Sequence, residues 1–491
     1  MSHVLAIDQG TSATKCILVD DTGRIVAKAS SPLGEAYPEP GWVEQDVNLI
    51  WESVQIAVRD CLSQRPDVSV AAVGLSTQRE SALVWNSKDS SPATPLLSWQ
   101  DRRTVDIMDS MIVEGLGEWV FETSGLPLDP MFSALKIKWL LDRLDSDRVA
   151  SKSGKYVVGT IDSWLIAKLG GKNTIEVGNA SRTQLLNVST ASWDEELLRV
   201  FNIPRELLPR IVPSIGLHAD AGGLHPSLRG VPVASVMADS HSALYAHGVR
   251  DVGSVKATMG TGSSVMGLAR DRAKRLNGLC LTIGWDAGSG PKLAHEGNIR
   301  SAGATLRWAA DLFGMDPESA VTESEQTSVG DLFIVPGFSG LGAPYWDAKA
   351  VGLISGMTLS TDRKQILAGA LDSIAHQVAD VATAMEGGGD MVQRLLLDGG
   401  PSRNPALRQK ISTYISRPVV HCTDAELSAL GVAHLAGVQV GVWNEQSLQQ
   451  LSRAQVVTDV PIYSKVDVDR HRSNWALAVA RSRLQSAQTS S

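Results

Sequence analysis

The chain lacks paired cysteines, basic blocks and long apolar runs. Its four cysteines, Cys16, Cys61, Cys280 and Cys422, are scattered with no CxxC spacing. That excludes a paired-CxxC metal site and reads as reduced, partly buried thiols of a cytosolic, cytoplasmic protein. The 45 basic and 53 acidic residues are interspersed and leave a net charge of −8, which argues against nucleic acid or an anionic membrane as partner. No run approaches the roughly 18 apolar residues of a spanning helix. The opening apolar stretch is short and broken by Asp8, so no secretion signal is expected. No GxxxxGK[ST] is present, no GxGxxG follows the first strand, and no HExxH occurs; a P-loop, a dinucleotide fold and a zincin site are set aside.

What is present starts at Asp8-Gln9-Gly10-Thr11-Ser12-Ala13-Thr14, followed by Lys15. The segment lies between two strand-like runs, Val4–Ile7 and Cys16–Val19. A glycine permits a tight turn, the turn's N–H groups can face phosphate oxygens, and Asp8 can offer an oxygen to Mg²⁺. The same segment also suits an ordinary hairpin corner. A third strand is expected over Arg24–Ala29. Asp46 reads as the N-cap of a helix carrying Val47, Ile50, Trp51, Val54, Ala57, Val58, Cys61 and Leu62 at helical spacing. Strands over Val70–Leu75 and Ala82–Trp85 complete a strand–helix–strand alternation, so the fold class is α/β.

The pattern repeats halfway, where Val255–Val265 is again strand, Gly-Thr turn (Gly260-Thr261-Gly262) and strand. With 491 residues, two domains are expected, 1–246 and 247–491, bordering near His247-Gly248. A third glycine turn, Asp398-Gly399-Gly400, follows Leu395–Leu397 and precedes a helix from about Pro405; it is also a plain βα turn. The tail Gln485–Ser491 reads as disordered.

Asp239 follows the apolar run Val231–Met237, where a carboxylate can take the proton of an alcohol during phosphoryl transfer, or simply cap the next helix. Arg79-Glu80 offers donors and acceptors that suit a polyol, and Trp99 an apolar wall for its carbons. An exposed, solvated Arg–Glu pair is the plainer alternative. His241, His295 and His376 are isolated and read as structural.

Taken in order, these segments resemble the FGGY carbohydrate kinases, and within them the glycerol kinase branch. The resemblance runs from about Val4 to Trp443 and includes Gly41–Asp46, Trp99-Gln100-Asp101, Gly125–Pro130, Lys136–Trp139, Asn179–Thr183 and Gly340–Asp347. It implies two ribonuclease-H-like domains of the actin/hexokinase type facing across a cleft, with hinge closure near residue 247. It implies ATP-dependent phosphorylation of a hydroxyl, and a homo-oligomer, dimer or tetramer. By that resemblance Asp8 holds Mg²⁺ and Asp239 is the general base. Gly10, Thr11, Ser12 and Lys15 line the phosphate site opposite Gly260, Thr261 and Gly262. Gly303, Gly400 and Asn404 line the adenosine site, and Arg79, Glu80 and Trp99 contact the acceptor.

Three acceptor positions depart from glycerol kinase. Met131 replaces a tyrosine, Ser240 a glutamine and Ser264 a phenylalanine. These changes remove bulk or hydrogen bonds and lead to the expectation of a four- or five-carbon polyol or a ketose. A glycerol kinase with an atypical pocket and a non-kinase actin-like ATPase are the alternatives. The ATPase would not need Arg79, Glu80, Trp99 and Asp239 together, and a catalytically dead scaffold would be expected to lose Asp8 or Asp239. The loop Gly222–Pro226 lacks the glycine- and lysine-rich sequence that binds fructose 1,6-bisphosphate in some glycerol kinases, so that feedback is not expected.

Overall fold

The computed structural model describes residues 2–270, 275–324, 327, 329–423, 426–451, 456–462 and 465–487. The chain forms two compact units. The first takes Met1–Gly248, Leu281–Leu293 and Glu426–Ala454; the second takes Val249–Cys280, Ala294–Ala425 and Gln455–Ser491.

The first unit is built on a six-stranded sheet. Val4, Leu5, Ala6 and Ile7 are all buried, which places β1 (Ser2–Gln9) at its centre. β1 pairs antiparallel with β2 (Ala13–Val19), and Asp8 stands opposite Lys15. The expected third strand is β3 (Ile25–Pro32), antiparallel to β2. On the other side β4 (Ser69–Thr77) runs parallel to β1 and sets Ser76 beside Asp8. Next come β5 (Ile215–Asp220) and β6 (Pro232–Ala238), giving the order β5-β6-β4-β1-β2-β3. The strand expected at Ala82 exists (Ala82–Asn86) but belongs to a separate four-stranded sheet with Glu44–Gln45, Leu96–Leu97 and Tyr156–Thr160.

Helix α1 (Val47–Ser63) begins at Asp46, whose Oδ1 accepts from Asn48 N at 2.8 Å. Its apolar stripe buries Val47, Ile50, Val54, Ala57, Val58, Cys61 and Leu62 against Leu5, Ile7, Leu18 and Leu75. Each Val, Ile or Leu among them contributes about 1.5–3 kcal/mol. The helix Leu427–Gln439, far away in sequence, packs against β1, β4 and β6. Its approach is close: a Cβ on Gly74 would lie 2.5 Å from Val432 O. It also meets α2 (Asp239–Ala246) backbone to backbone, since a Cβ on Gly431 would lie 2.0 Å from Ser242 O.

In the second unit, β7 (Ser254–Met259) and β8 (Ser263–Leu268) form an antiparallel hairpin. β9 (Lys292–Ile299) pairs with β8, while β10 (Arg394–Gly399) runs parallel to β7. β11 (Val419–Cys422) and β12 (Val456–Asp459) extend it, so within a seven-stranded sheet these six run in the order β9-β8-β7-β10-β11-β12. A leading hairpin whose first strand continues into a parallel neighbour is the plan of the first unit again. The sequence echo at Gly260 is thus an echo of topology.

The tail differs from its expectation. The helix Lys465–Ala487 takes in Gln485–Ala487, while Gln488–Ser491 lie outside the described residues. Trp475 on this helix donates Nε1–H to Asp380 Oδ2 at 2.8 Å and stacks on His376 at 4.8 Å; Tyr414 stacks on the same imidazole at 4.2 Å. His376 is thus packed between two aromatic rings. Among the described residues no helix is long and apolar enough to cross a membrane.

Because Gly431 has no room for a methyl group, Gly431→Ala is expected to cost about 3 kcal/mol or more. A thermal melt checks this; an unchanged midpoint contradicts the packing.

Candidate functional site

In the first unit β1 ends at Asp8. Ser76 Oγ donates to Asp8 Oδ1 at 2.8 Å. Burial raises the Asp8 carboxyl to about 6, and the Asp239 charge adds to the rise. Gly10 N donates to Ala13 O at 3.1 Å and closes the turn. Glutamines brace it from behind: Gln78 Nε2 reaches Gln9 Oε1 at 3.3 Å and Gln45 Oε1 at 2.9 Å, and Gln45 Nε2 donates to Thr11 O at 2.8 Å. Trp99, 39% exposed, donates Nε1–H to Thr11 Oγ1 at 3.0 Å. Ser12 is exposed, and Lys15 Nζ lies 3.0 Å from Glu426 Oε2.

Arg79 and Glu80 follow β4 directly. They are 7% and 4% exposed, which overturns the solvated-pair alternative. Glu80 sits at φ +61°, a left-handed backbone that costs a non-glycine residue free energy and persists only when its surroundings hold it. Arg182 Nε donates to Glu80 Oε1 at 2.7 Å, and Ser133 Oγ donates to Glu80 O at 3.0 Å. Arg79 Nε lies 3.7 Å from Glu80 Oε1 and 3.3 Å from Asp239 Oδ1.

Asp239 is the first residue of α2. The cap position itself is Ala238, which makes no side-chain cap bond. Its Oδ1 accepts from Ser240 N at 2.6 Å, and its side chain is 36% exposed. Met131 is half-buried in a loop fastened at both ends. Its N donates to Asp129 Oδ1 at 2.9 Å, and its carbonyl accepts from Lys136 Nζ, which also takes Pro130 O at 2.7 Å. Burial lowers the Lys136 ammonium to about 8.

Asp101, within the Trp99-Gln100-Asp101 motif, is a strut. It accepts from Val43 N at 2.6 Å and pairs with Arg103 at 2.7 Å. Arg103 also reaches Glu44 at 2.8 Å and lies over Trp42 at 3.8 Å. The Gly41–Asp46 and Trp99–Asp101 motifs are thus one structural knot.

Sequence reasoning quoted Arg182 within a motif but gave it no role. The available signal was a lone guanidinium in a segment whose neighbours Ala180 and Leu185 are buried, because a charge there must find a partner. The segment is held by Glu176, which accepts from Gly178 N and Asn179 N at 2.8 Å each and from Ser214 Oγ at 2.5 Å. Glu426 carried no local signal at all.

In the second unit the turn Gly260-Thr261-Gly262 closes by Gly260 N to Gly262 O at 2.8 Å. Gly303 N donates to Gly260 O at 3.0 Å, and a Cβ on Gly303 would lie 2.6 Å from that oxygen. Gly399, at φ +89°, is the glycine that β10 requires, whereas a Cβ on Gly400 would meet open space. Asn404 caps the helix Pro405–Ile415 through Leu407 N at 2.7 Å. Ser264 Oγ donates to Glu296 Oε1 at 2.7 Å. Ser264 belongs to this unit, while Met131 and Ser240 belong to the first.

Two α/β units of one plan, with an oxygen-rich turn after the first strand and a carboxylate opening a helix, have the build of a phosphotransferase acting on an alcohol group. The chain belongs to the FGGY family of carbohydrate kinases. The family's N-terminal domain matches residues 3–246 and its C-terminal domain residues 255–440. A glycerol kinase of Janthinobacterium sp. (strain Marseille) is 38% identical over 97% of this chain and 98% of that protein. An apulose kinase of Pectobacterium atrosepticum is also 38% identical, over 98% of each. Plasmodium falciparum glycerol kinase, solved with ADP, superposes with a TM-score of 0.92 at 28% identity and 98% coverage of both chains. A xylulose kinase from Lactobacillus acidophilus shares the fold, with a TM-score of 0.88 at 21% identity, over 100% of this chain and 99% of that one.

One expectation concerns pH. Burial lifts the Glu176 carboxyl from 4.5 to about 8, only partly offset by the bonds from Ser214, Gly178 and Asn179. The native state therefore holds this proton more tightly than the unfolded chain. Its contribution to stability is whole below about 4.5, shrinks as pH rises and is gone above about 8. The melting temperature of the wild type relative to Glu176→Gln should fall between about pH 5 and about pH 9. A constant difference contradicts the assignment.

Proposed function

We propose that this carbohydrate kinase uses ATP and Mg²⁺ to phosphorylate a polyol or ketose somewhat larger than glycerol, of four or five carbons. The observation that carries the reading is the Arg79 guanidinium held 3.3 Å from Asp239 and 3.7 Å from Glu80. This cluster combines a base, an acceptor and a donor, which an alcohol with neighbouring hydroxyls requires. Asp239 takes the proton of the attacking hydroxyl. Arg79 and Glu80 fix the adjoining hydroxyls, and the Trp99 ring covers the carbons. Met131 and Ser240 leave room for the extra length. One relative named for glycerol and one named for apulose are equally identical to this chain.

The residues fit the implied groups. Ser76 engages one oxygen of Asp8, and the second suits a hard cation. Asp8 would hold Mg²⁺, which when bound would neutralise charge developing on the phosphates. Gly10, Thr11, Ser12 and Lys15 supply N–H, hydroxyl and ammonium groups for phosphate. In the second unit Gly260, Thr261, Gly262, Gly303, Gly400 and Asn404 serve the nucleotide. The open space over Gly400 suits a flat base against bare backbone. The four free cysteines suit a cytoplasmic enzyme; a homo-dimer or tetramer rests on the family resemblance alone.

A coupled ADP-release screen across three- to six-carbon polyols and ketoses tests the substrate. A tetritol, pentitol or pentulose should exceed glycerol in kcat/KM; a far higher value for glycerol overturns the size argument. For Asp239→Asn, transfer should fall by about 10²–10⁴-fold while ADP affinity stays within a few-fold. Near-normal turnover would remove Asp239 from the role.

A further inference from the structure

Arg182 is fully buried, yet it belongs to a line of alternating charge. Its Nε donates to Glu80 Oε1 at 2.7 Å; Arg79 stands 3.7 Å from that same oxygen and 3.3 Å from Asp239. The line therefore reads Arg182, Glu80, Arg79, Asp239. The guanidinium of Arg182 also lies 5.1 Å from the Phe132 ring centroid, next to Met131. The main chain of Glu80 is held separately by Ser133.

We infer that Arg182 is a positioning residue for the acceptor: it binds one oxygen of Glu80, aims the other at an acceptor hydroxyl, and keeps Arg79 from closing on Glu80. The inference rests on the acceptor site proposed above. The distances carry it. A contact of 2.7 Å is a charge-assisted hydrogen bond, whereas 3.7 Å is too long to be one. Oε1 is thus committed to Arg182, and Arg79 stands nearer to Asp239. Without Arg182, the closest guanidinium to Glu80 would be Arg79, and closing that gap would draw Arg79 away from Asp239. Lys136, the other buried cation that Glu80 influences, bonds to the carbonyls of Pro130, Met131 and Phe132 and is held back from substituting. The left-handed backbone of Glu80 fits the same reading. A strained residue stays put only when several contacts fix it, and here they act on both its side chain and its main chain.

The test compares Arg182→Met, Arg182→Lys, Glu80→Gln and the double variant Arg182→Met/Glu80→Gln. Acceptor KM, ATP KM, kcat and ADP affinity are measured with the acceptor of highest kcat/KM from the screen. Arg182→Met should raise acceptor KM by about 10- to 100-fold and leave ADP affinity within about twofold. Arg182→Lys keeps a cation but loses the guanidinium geometry, so its acceptor KM should rise less, about three- to tenfold. The double variant should be no worse than Glu80→Gln alone. If Arg182→Met does not fold, Arg182→Lys decides. An unchanged acceptor KM in a folded Arg182 variant, or losses that multiply in the double variant, overturns the inference. If Glu80→Gln itself leaves acceptor KM unchanged, the acceptor-site reading fails and the Arg182 inference falls with it.

Discussion

A charge withdrawn from water must meet its partner inside the protein, and this requirement governs the first unit. Arg182, Glu80 and Arg79 are all buried, and each is next to an opposite charge. Leaving one such group unpaired costs several kcal/mol, so the line can exist only if every member stays in place. The far end, Asp239, is the member that reaches solvent. A structural necessity thereby delivers an ordered carboxylate and guanidinium to the place where an alcohol can bind.

The surrounding fold serves that line. β4 runs parallel to β1, so the Asp8 turn and Arg79-Glu80 emerge side by side. The glutamines Gln9, Gln45 and Gln78 tie the two together. Glu176 fixes the segment carrying Arg182, and Lys136 fixes the loop carrying Met131. The helix Leu427–Gln439 closes the far face and seats α2, which begins at Asp239. Most of these supports are buried polar groups, and their value is placement more than stability.

Much of this was legible in the sequence because it is local. The Asp8 hairpin, the Asp46-capped helix and the second Gly-Thr hairpin each carry a periodicity or turn signal within a dozen residues. Ala82–Asn86 shows the limit: its apolar run announced a strand but not which sheet it would join. Asp101 carried no role in the sequence, because its backbone bond to Val43 is non-local and leaves no trace in spacing. Arg182 and Glu426 were missed for the same reason, since their partners Glu80 and Lys15 lie far off in the chain. The solvated alternative for Arg79-Glu80 failed because burial is decided by tertiary contacts.

The most direct measurement is a crystal structure with ADP, Mg²⁺ and the preferred acceptor. One acceptor hydroxyl should lie about 3 Å from Asp239, with its neighbours on Arg79 and Glu80 and with Arg182 still on Glu80 Oε1. An acceptor bound away from Asp239, with Arg79 closed onto Glu80, would contradict the account.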